Sequence, residues 1–305
     1  MKKENEKRFG FVTVIGAPNA GKSTLLNALV GSKVSIVSSK VQTTRTRVSG
    51  IVVRGKTQIV FVDTPGIFEP SKKNNLERAI VSAAWETVGE TDKIILLVDV
   101  SRKVSNGAKK IISNLKENNI KNIILVLNKI DEIKRDKLLE ITQDLNNLYD
   151  FEATFMISAL KNNGLDGILD YLKDRLPEGV WHYAEEDMTD MPMRLIAAEI
   201  TREKLFKMMH QELPYNLTVE TDEWEPFEDG SIKIHQTVYI SREAHKKIIV
   251  GKGGEMLKKI GSMAREDLEE MMQGRIHLKI FVKVQENWME DSERFSMWNL
   301  NPNAV

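Results

Sequence analysis

Five short clusters carry residue types suited to a phosphorylated ligand, and the first is the densest. Gly16, Ala17, Pro18, Asn19, Ala20, Gly21, Lys22, Ser23 and Thr24 form a G-x-x-x-x-G-K-S run. An apolar stretch, Phe11 to Ile15, precedes it and reads as a buried strand. Leu25, Leu26 and Leu29 follow at helical spacing, and Gly31 sits where a helix stop is expected. Strand, glycine loop and helix in that order form the context a phosphate-binding loop requires. A polyphosphate needs many donors at close range. Glycines let the backbone approach and turn its N–H groups inward. A helix beginning near Gly21 adds its positive end. Lys22 offers a mobile cation, and Ser23 a hydroxyl for magnesium, which keeps most of its ligands as water and phosphate. A chance glycine turn would not need these flanks.

The other clusters follow at strand ends. Residues 32–50 are polar, with Thr43, Thr44 and Arg45 adjacent. They read either as a solvated turn or as a threonine that closes on magnesium and the terminal phosphate. Residues 51–62 read as a strand pair turned near Arg54–Lys56, running into Asp63-Thr64-Pro65-Gly66. An acid at the end of a buried strand beside a phosphate loop holds magnesium through water. Gly66, without a Cβ, can swing its N–H to a terminal phosphate. Apolar runs at 94–100 and 123–127 read as strands covered on both faces. The second ends in Asn128-Lys129-Ile130-Asp131. A carboxylate at Asp131 accepts two hydrogen bonds, from a purine ring N–H and its exocyclic amine. Guanine offers both and adenine neither, so the wrong base leaves a buried acceptor unpaired. Asn128 would brace neighbouring loops and the Lys129 stem would cover the base. A helix start capped by an Asx residue reads the same residues differently and can coexist with base reading. Residues 154–157 read as a last strand, with Ser158, Ala159 and Leu160 presenting backbone N–H groups to the guanine oxygen.

These clusters need a frame. Strands alternating with helices from residue 11 to about 176 predict an α/β P-loop NTPase domain with a doubly wound, mostly parallel sheet. Ligands of such sheets sit at the carboxyl ends of the strands, where all five clusters fall.

The 305 residues allow about two domains. With 41% apolar and 29% charged residues, the chain has the composition of a globular protein. Without cysteine it has neither disulfides nor a thiolate metal site. The charged start MKKENEKR does not resemble a signal peptide, and no apolar run reaches bilayer length, so a cytosolic location is expected. Net charge is zero but unevenly spread. Residues 185–305 hold 16 Lys plus Arg against 23 Asp plus Glu, a net of −7, which leaves +7 on residues 1–184. A nucleic-acid surface in the C-terminal part must then be a local patch.

Residues 178–192 are acidic and aperiodic and read as a linker, with Trp181 and Tyr183 available for packing. Beyond it the order is helix (193–209), strand (215–221), strand (232–240), helix (243–250), Gly251-Lys252-Gly253-Gly254, helix (255–272) and strand (276–284). Arg242, Lys246, Lys247, Lys252, Lys258 and Lys259 surround the glycine loop, against Glu243 and Glu255. The loop suits close passage of an RNA backbone. Ile248, Ile249 and Val250 fit either a base-binding groove or the core. The histidines lack metal-ligand spacing, and the methionines read as core. Residues 289–305 form a tail without a clear period.

GAPNAGKS, QTTR, DTPG, NKID and SAL, in this order, resemble the five boxes of translation-factor-type GTPases. The resemblance implies GTP hydrolysis, with magnesium bound by Ser23 and Thr44 and reached by Asp63 through water. Catalysis would fall to Asn19, Lys22, Thr44 and Gly66. Ile67 stands where the best-known small GTPases carry a glutamine, so the chain is similar to the hydrophobic-substituted group. In that group an asparagine at the Asn19 position helps hold potassium. The second part resembles a KH domain of the bacterial type II topology, with Arg242, Lys246, Lys247, Gly251, Lys252, Gly253, Gly254 and Lys258 as its RNA contacts.

Together, 1–177 as GTPase domain, 178–192 as linker and 193–288 as KH domain resemble the Era family of bacterial ribosome-assembly GTPases. That resemblance implies binding to the 3′ region of small-subunit ribosomal RNA during 30S assembly, peripheral contact with the inner face of the membrane, and no obligate protein partner. It also implies a switch in which GTP orders residues 38–47 and the DTPG loop. Two other readings stay open: a P-loop ATPase, against which NKID argues, and an RNA-binding module whose nucleotide site is structural.

Overall fold

The computed structural model describes residues 7–37, 48–64, 66–67, 75–210 and 213–291. The whole segment 38–47, with Thr43 and Thr44, and Pro65 and the tail from 292 lie outside them. The described residues divide into two compact units, one of residues 7–35 and 48–190, the other of 36–37 and 191–291.

The first unit is a six-stranded sheet. Its strands are β1 (Arg8–Gly16), β2 (Val48–Arg54), β3 (Thr57–Asp63), β4 (Lys93–Asp99), β5 (Ile123–Asn128) and β6 (Ala153–Ile157), in the order β2-β3-β1-β4-β5-β6. Only the β2–β3 pair is antiparallel. Helices α1 (Lys22–Val30), α2 (Asn75–Gly89), α3 (Asn106–Glu117), α4 (Arg135–Leu148) and α5 (Leu165–Lys173) complete the doubly wound pattern. The continuous apolar runs are the reason for it. Residues 94–98 of β4 and 123–127 of β5 are all buried, as strands covered on both faces must be. Amphipathic α3 lays Ala108, Ile111, Ile112 and Leu115 on this core.

The segment expected as a linker runs along the sheet as part of this unit. Ile51 N–H donates to Met188 O (2.9 Å), and Thr189 Oγ1 to Ser49 O (2.7 Å). Gln58 Oε1 accepts from His182 and Tyr183 N–H, and Trp181 Nε1 donates to Lys56 O.

In the second unit α6 (Met193–Met208), α7 (Glu243–Val250) and α8 (Glu255–Met272) pack on β7 (Leu217–Pro226), β8 (Ile232–Ile240) and β9 (Ile276–Val284). The sheet order is β7-β8-β9, with β8 antiparallel to β7 and parallel to β9. β7 runs past the expected residue 221, across a bulge between Thr221 and Glu223. Val37 N–H donates to the α6 carboxylate of Glu203 (3.1 Å).

Candidate nucleotide site and nucleic-acid interface

The phosphate loop leaves β1 at Gly16 and enters α1 at Lys22. Its turn needs left-handed backbone at Asn19 (φ 62°) and Gly21 (φ 99°). A Cβ on Gly21 would lie 2.5 Å from Asn128 Nδ2, and one on Gly16 would lie 2.5 Å from Leu97 O. Glycine is therefore required twice, for φ and for closeness. No side chain caps the N-terminus of α1, and its first turn holds no acid, so its N–H groups and positive end face the loop. Lys22 is buried, and its ammonium donates to the carbonyls of Gly16 and Ala17, each at 3.2 Å. Burial pushes its pKa down, and Asp63 draws it back up.

β1 and β3 run parallel in a register that sets Val14 beside Asp63, which places the acid next to the loop. Asp63 is fully buried, and its Oδ2 accepts from Ser23 Oγ (2.7 Å) and Ser35 Oγ (3.2 Å). A carboxylate flanked by two hydroxyls suits a hydrated divalent cation. Thr64 supports the strand end instead, its hydroxyl donating to Val14 O (2.9 Å). Gly66 is pressed against the loop: a Cβ there would lie 3.2 Å from Pro18 Cα and 3.3 Å from Lys22 Nζ. Ile67 N–H donates to Gly16 O (3.2 Å), and its side chain joins the core beside Ile15 and Ile111.

The base end rests on Asn128, which is 2% exposed. Its Nδ2 donates to Ala20 O (2.9 Å), and its Oδ1 accepts from Ala159 N–H (3.0 Å), tying three loops together. The Ala159 amide thus braces Asn128, and Ser158 N–H donates to Asn163 O, so both amides have partners within the protein. The Ser158 hydroxyl bonds Asp131 instead, and that bond, with Lys161 at 3.2 Å, holds the Asp131 carboxyl below its usual range. Lys129 (φ 66°) pairs with Asp99 at 2.5 Å, and Asp99 also accepts from Ser101 N–H and Oγ.

Sequence reasoning missed Asp99, Lys161, Ser35 and Asn27. Asn27 Oδ1 accepts from Val34 and Ser35 N–H, while its Nδ2 donates to Ser35 O (2.7 Å), fixing the Ser35 hydroxyl. Asp99 had a readable signal: like Asp63, it is an acid closing a buried strand. Ser35 had none.

In the second unit Gly251 (φ 73°), Gly253 (φ 60°) and Gly254 (φ 83°) all take left-handed backbone between α7 and α8. A Cβ on Gly251 would lie 2.7 Å from Met256 Cβ, whereas Gly253 and Gly254 have open space. Arg242, Lys247, Lys252 and Lys258 are exposed and Lys246 is half-buried. Ile249 belongs to the core and Ile248 is 56% exposed, which splits the apolar triplet. Gly254, Leu257, Lys258, Gly261, Ser262 and Arg265 face Leu278 and Ile280 of β9 across a groove of about 450 Å3.

Known proteins match both units. The model of the 50S ribosome-binding GTPase family matches residues 11–129, and the KH domain model matches 212–289. GTPase Era of Rhizobium meliloti (strain 1021) is 51% identical over 96% of this chain and 93% of its own length. The chain belongs to the Era family of GTPases. Another member of the family, from Dinoroseobacter shibae, is 50% identical over 96% of each chain. Among solved structures, a point variant of Aquifex aeolicus Era bound to GDP·AlF4− superposes with a TM-score of 0.90 at 36% identity, covering 95% of this chain and 98% of the other. Era in complex with MgGDPNP and nucleotides 1506–1542 of 16S ribosomal RNA also gives 0.90 at 36% identity, covering 96% and 98%.

Proposed function

We propose that the chain hydrolyses GTP at the first unit and binds small-subunit ribosomal RNA, near its 3′ end, with the second, as a factor in 30S assembly. The Asn128 bridge carries the nucleotide reading. One buried amide locks the phosphate loop to the loops that carry Asp131 and Ser158, so phosphate and guanine are sensed by one rigid assembly. Lys22 and the α1 N–H groups hold the phosphates, Gly66 reaches the terminal one, and Asp131 accepts the guanine donors. Magnesium, held by Ser23 and Thr44 and through water by Asp63, supplies charge neutralisation at the outer phosphates. The RNA reading rests on the exposed cations around the three left-handed glycines, and on the relative whose structure holds 16S ribosomal RNA. The working division is 1–177 for nucleotide and 193–288 for RNA.

With Ile67 in the core, no side chain there orients the attacking water. Asn19 is the candidate to hold a potassium ion that takes part of this load, and equal single-turnover rates in sodium and potassium would remove that role. The two activities form a switch through the chain itself. Ser35 bonds Asp63 within the first unit, and two residues along the chain Val37, already in the second unit, is bonded to Glu203 of that same unit. The deciding experiment measures GTP turnover, and then RNA affinity with GDP or a non-hydrolysable GTP analogue bound. Turnover with tighter RNA binding in one state supports the switch, and equal affinity in both states removes it. Absence of turnover returns the nucleotide to a structural role. The function places the protein in the cytoplasm, and flotation with anionic vesicles tests the peripheral membrane contact. No helix of the described residues is long and apolar enough to cross a membrane.

A further inference from the structure

The groove beside the glycine loop uses one face of β9, and the opposite face of the same strand is open. Side chains alternate along a strand, so Leu278 and Ile280 turn to the groove while His277, Lys279, Phe281 and Lys283 turn outward. Phe281 is 53% exposed at the centre of that row. The rest of the outward face sorts by charge. β7 contributes Glu220, Asp222, Glu223 and Glu225, and β8 engages the last three. Lys233 pairs with Glu223 (2.6 Å) and Glu225 (3.1 Å), His235 pairs with Glu223, and Thr237 donates to Asp222 (2.6 Å). β9 carries no outward carboxylate, and it is one of the two edge strands of the sheet. Lys283 lies 5.8 Å from the centre of the Tyr239 ring, Phe281 meets His235 edge-on at 5.9 Å, and Lys279 lies near enough to Glu223 to help lower its pKa.

Edge lysines alone have a simple explanation, since they discourage strand-to-strand aggregation. An exposed phenylalanine between them does the reverse and needs another. Aromatic rings alternating with cations on an open sheet face are what unpaired bases stack on. We propose that the outward face of β9 is a second contact for single-stranded RNA, in which Phe281 stacks a base and Lys279 and Lys283 meet the flanking phosphates. The RNA leaving the groove turns over the free edge of β9 onto this row. The inference rests on the reading of the second unit as an RNA binder and extends its footprint.

The test uses the full chain and two fluorescent RNAs in anisotropy titrations. One is about five nucleotides long, matched to the glycine-loop groove, and the other is extended to about twelve. Phe281→Ala should weaken the long RNA about tenfold and leave the short one unchanged, and Phe281→Trp should restore the long one. Lys279→Ala with Lys283→Ala should flatten the salt dependence for the long RNA only. Wild-type affinity of Phe281→Ala for the long RNA would overturn the proposal and leave the face to a protein partner. Loss of both RNAs in Phe281→Ala without rescue by Phe281→Trp would also overturn it, as damage to the domain. Gly253→Asp separates the underlying reading. If it binds both RNAs like wild type, the groove is wrong, while the Phe281 comparison still decides the face.

Discussion

The phosphate end of the first unit and the glycine-loop face of the second both meet polyanions, yet they are built in opposite ways. The first is a closed circuit. Lys22, Asp63 and Asn128 are 7%, 0% and 2% exposed, and each holds partners within the protein. The second is open, with Arg242, Lys247, Lys252 and Lys258 in solvent. Buried donors act in low dielectric and cost much to leave unmatched, whereas exposed cations contribute screened, nearly additive increments. The first site should therefore fail abruptly when one atom is wrong, and the second should erode gradually.

The largest effect is expected at Asp131. Asp131→Asn replaces one acceptor oxygen by a donor facing the guanine donors. GDP affinity should fall about 10⁴-fold, the scale at which such sites reject a mismatched ligand. Xanthosine diphosphate, which presents the complementary acceptor, should bind in its place. Equilibrium titration of both nucleotides checks it, and retained guanine preference would sink the base-reading role.

Asn128→Ala comes next, because it attacks the circuit away from the ligand. It leaves Ala20 O and Ala159 N–H without their shared partner, at about 1–3 kcal/mol for each buried group. Thermal unfolding of the nucleotide-free protein should shift down, and GDP affinity should fall roughly 10- to 100-fold. A variant that lost GDP affinity with unchanged unfolding would make Asn128 a ligand contact, not a brace.

A smaller effect tests the newly found hydroxyl. Ser35→Ala removes a hydroxyl donor to Asp63 Oδ2 and leaves the Ser23 hydroxyl bonded to the same oxygen. Outer partners of a metal site typically contribute about tenfold or more to metal affinity. The magnesium concentration that half-suppresses GDP release should rise by about that factor, and Ser35→Thr should restore it. Unchanged magnesium dependence would leave Ser35 a packing residue.

This contrast also explains what was legible in the sequence. Local chemistry was readable: the glycine loop needs positive φ at Gly21, and β4 and β5 announce themselves as unbroken apolar runs. The Ser35–Asp63 bond joins residues 28 apart and has no periodic signal. Residues 178–190 looked unstructured because a backbone bond from Ile51 to Met188 and a Thr189 hydroxyl bond to Ser49 O, not an apolar stripe, hold them. The end of β7 was hidden by the bulge at Thr221/Glu223, which breaks the alternation that marks a strand. In the triplet 248–250, burial of Ile249 and exposure of Ile248 follow from the α7 face, which hydrophobicity alone does not report.

The smallest effect sharpens the open side of the comparison. Lys258 is exposed beside the groove and touches no acid among the described ion pairs, so Lys258→Ala removes one charge and little else. Each phosphate contact on a single strand adds about 0.7 to the slope of log affinity against log salt. The variant should bind the RNA only a few-fold more weakly near physiological salt, with the slope reduced by about that amount, and its nucleotide affinity should not move. Measuring the slope matters more than the single affinity. A few-fold loss with an unchanged slope would mean that Lys258 shapes the groove without meeting a phosphate. A hundredfold loss would mean that this site, too, is a closed circuit.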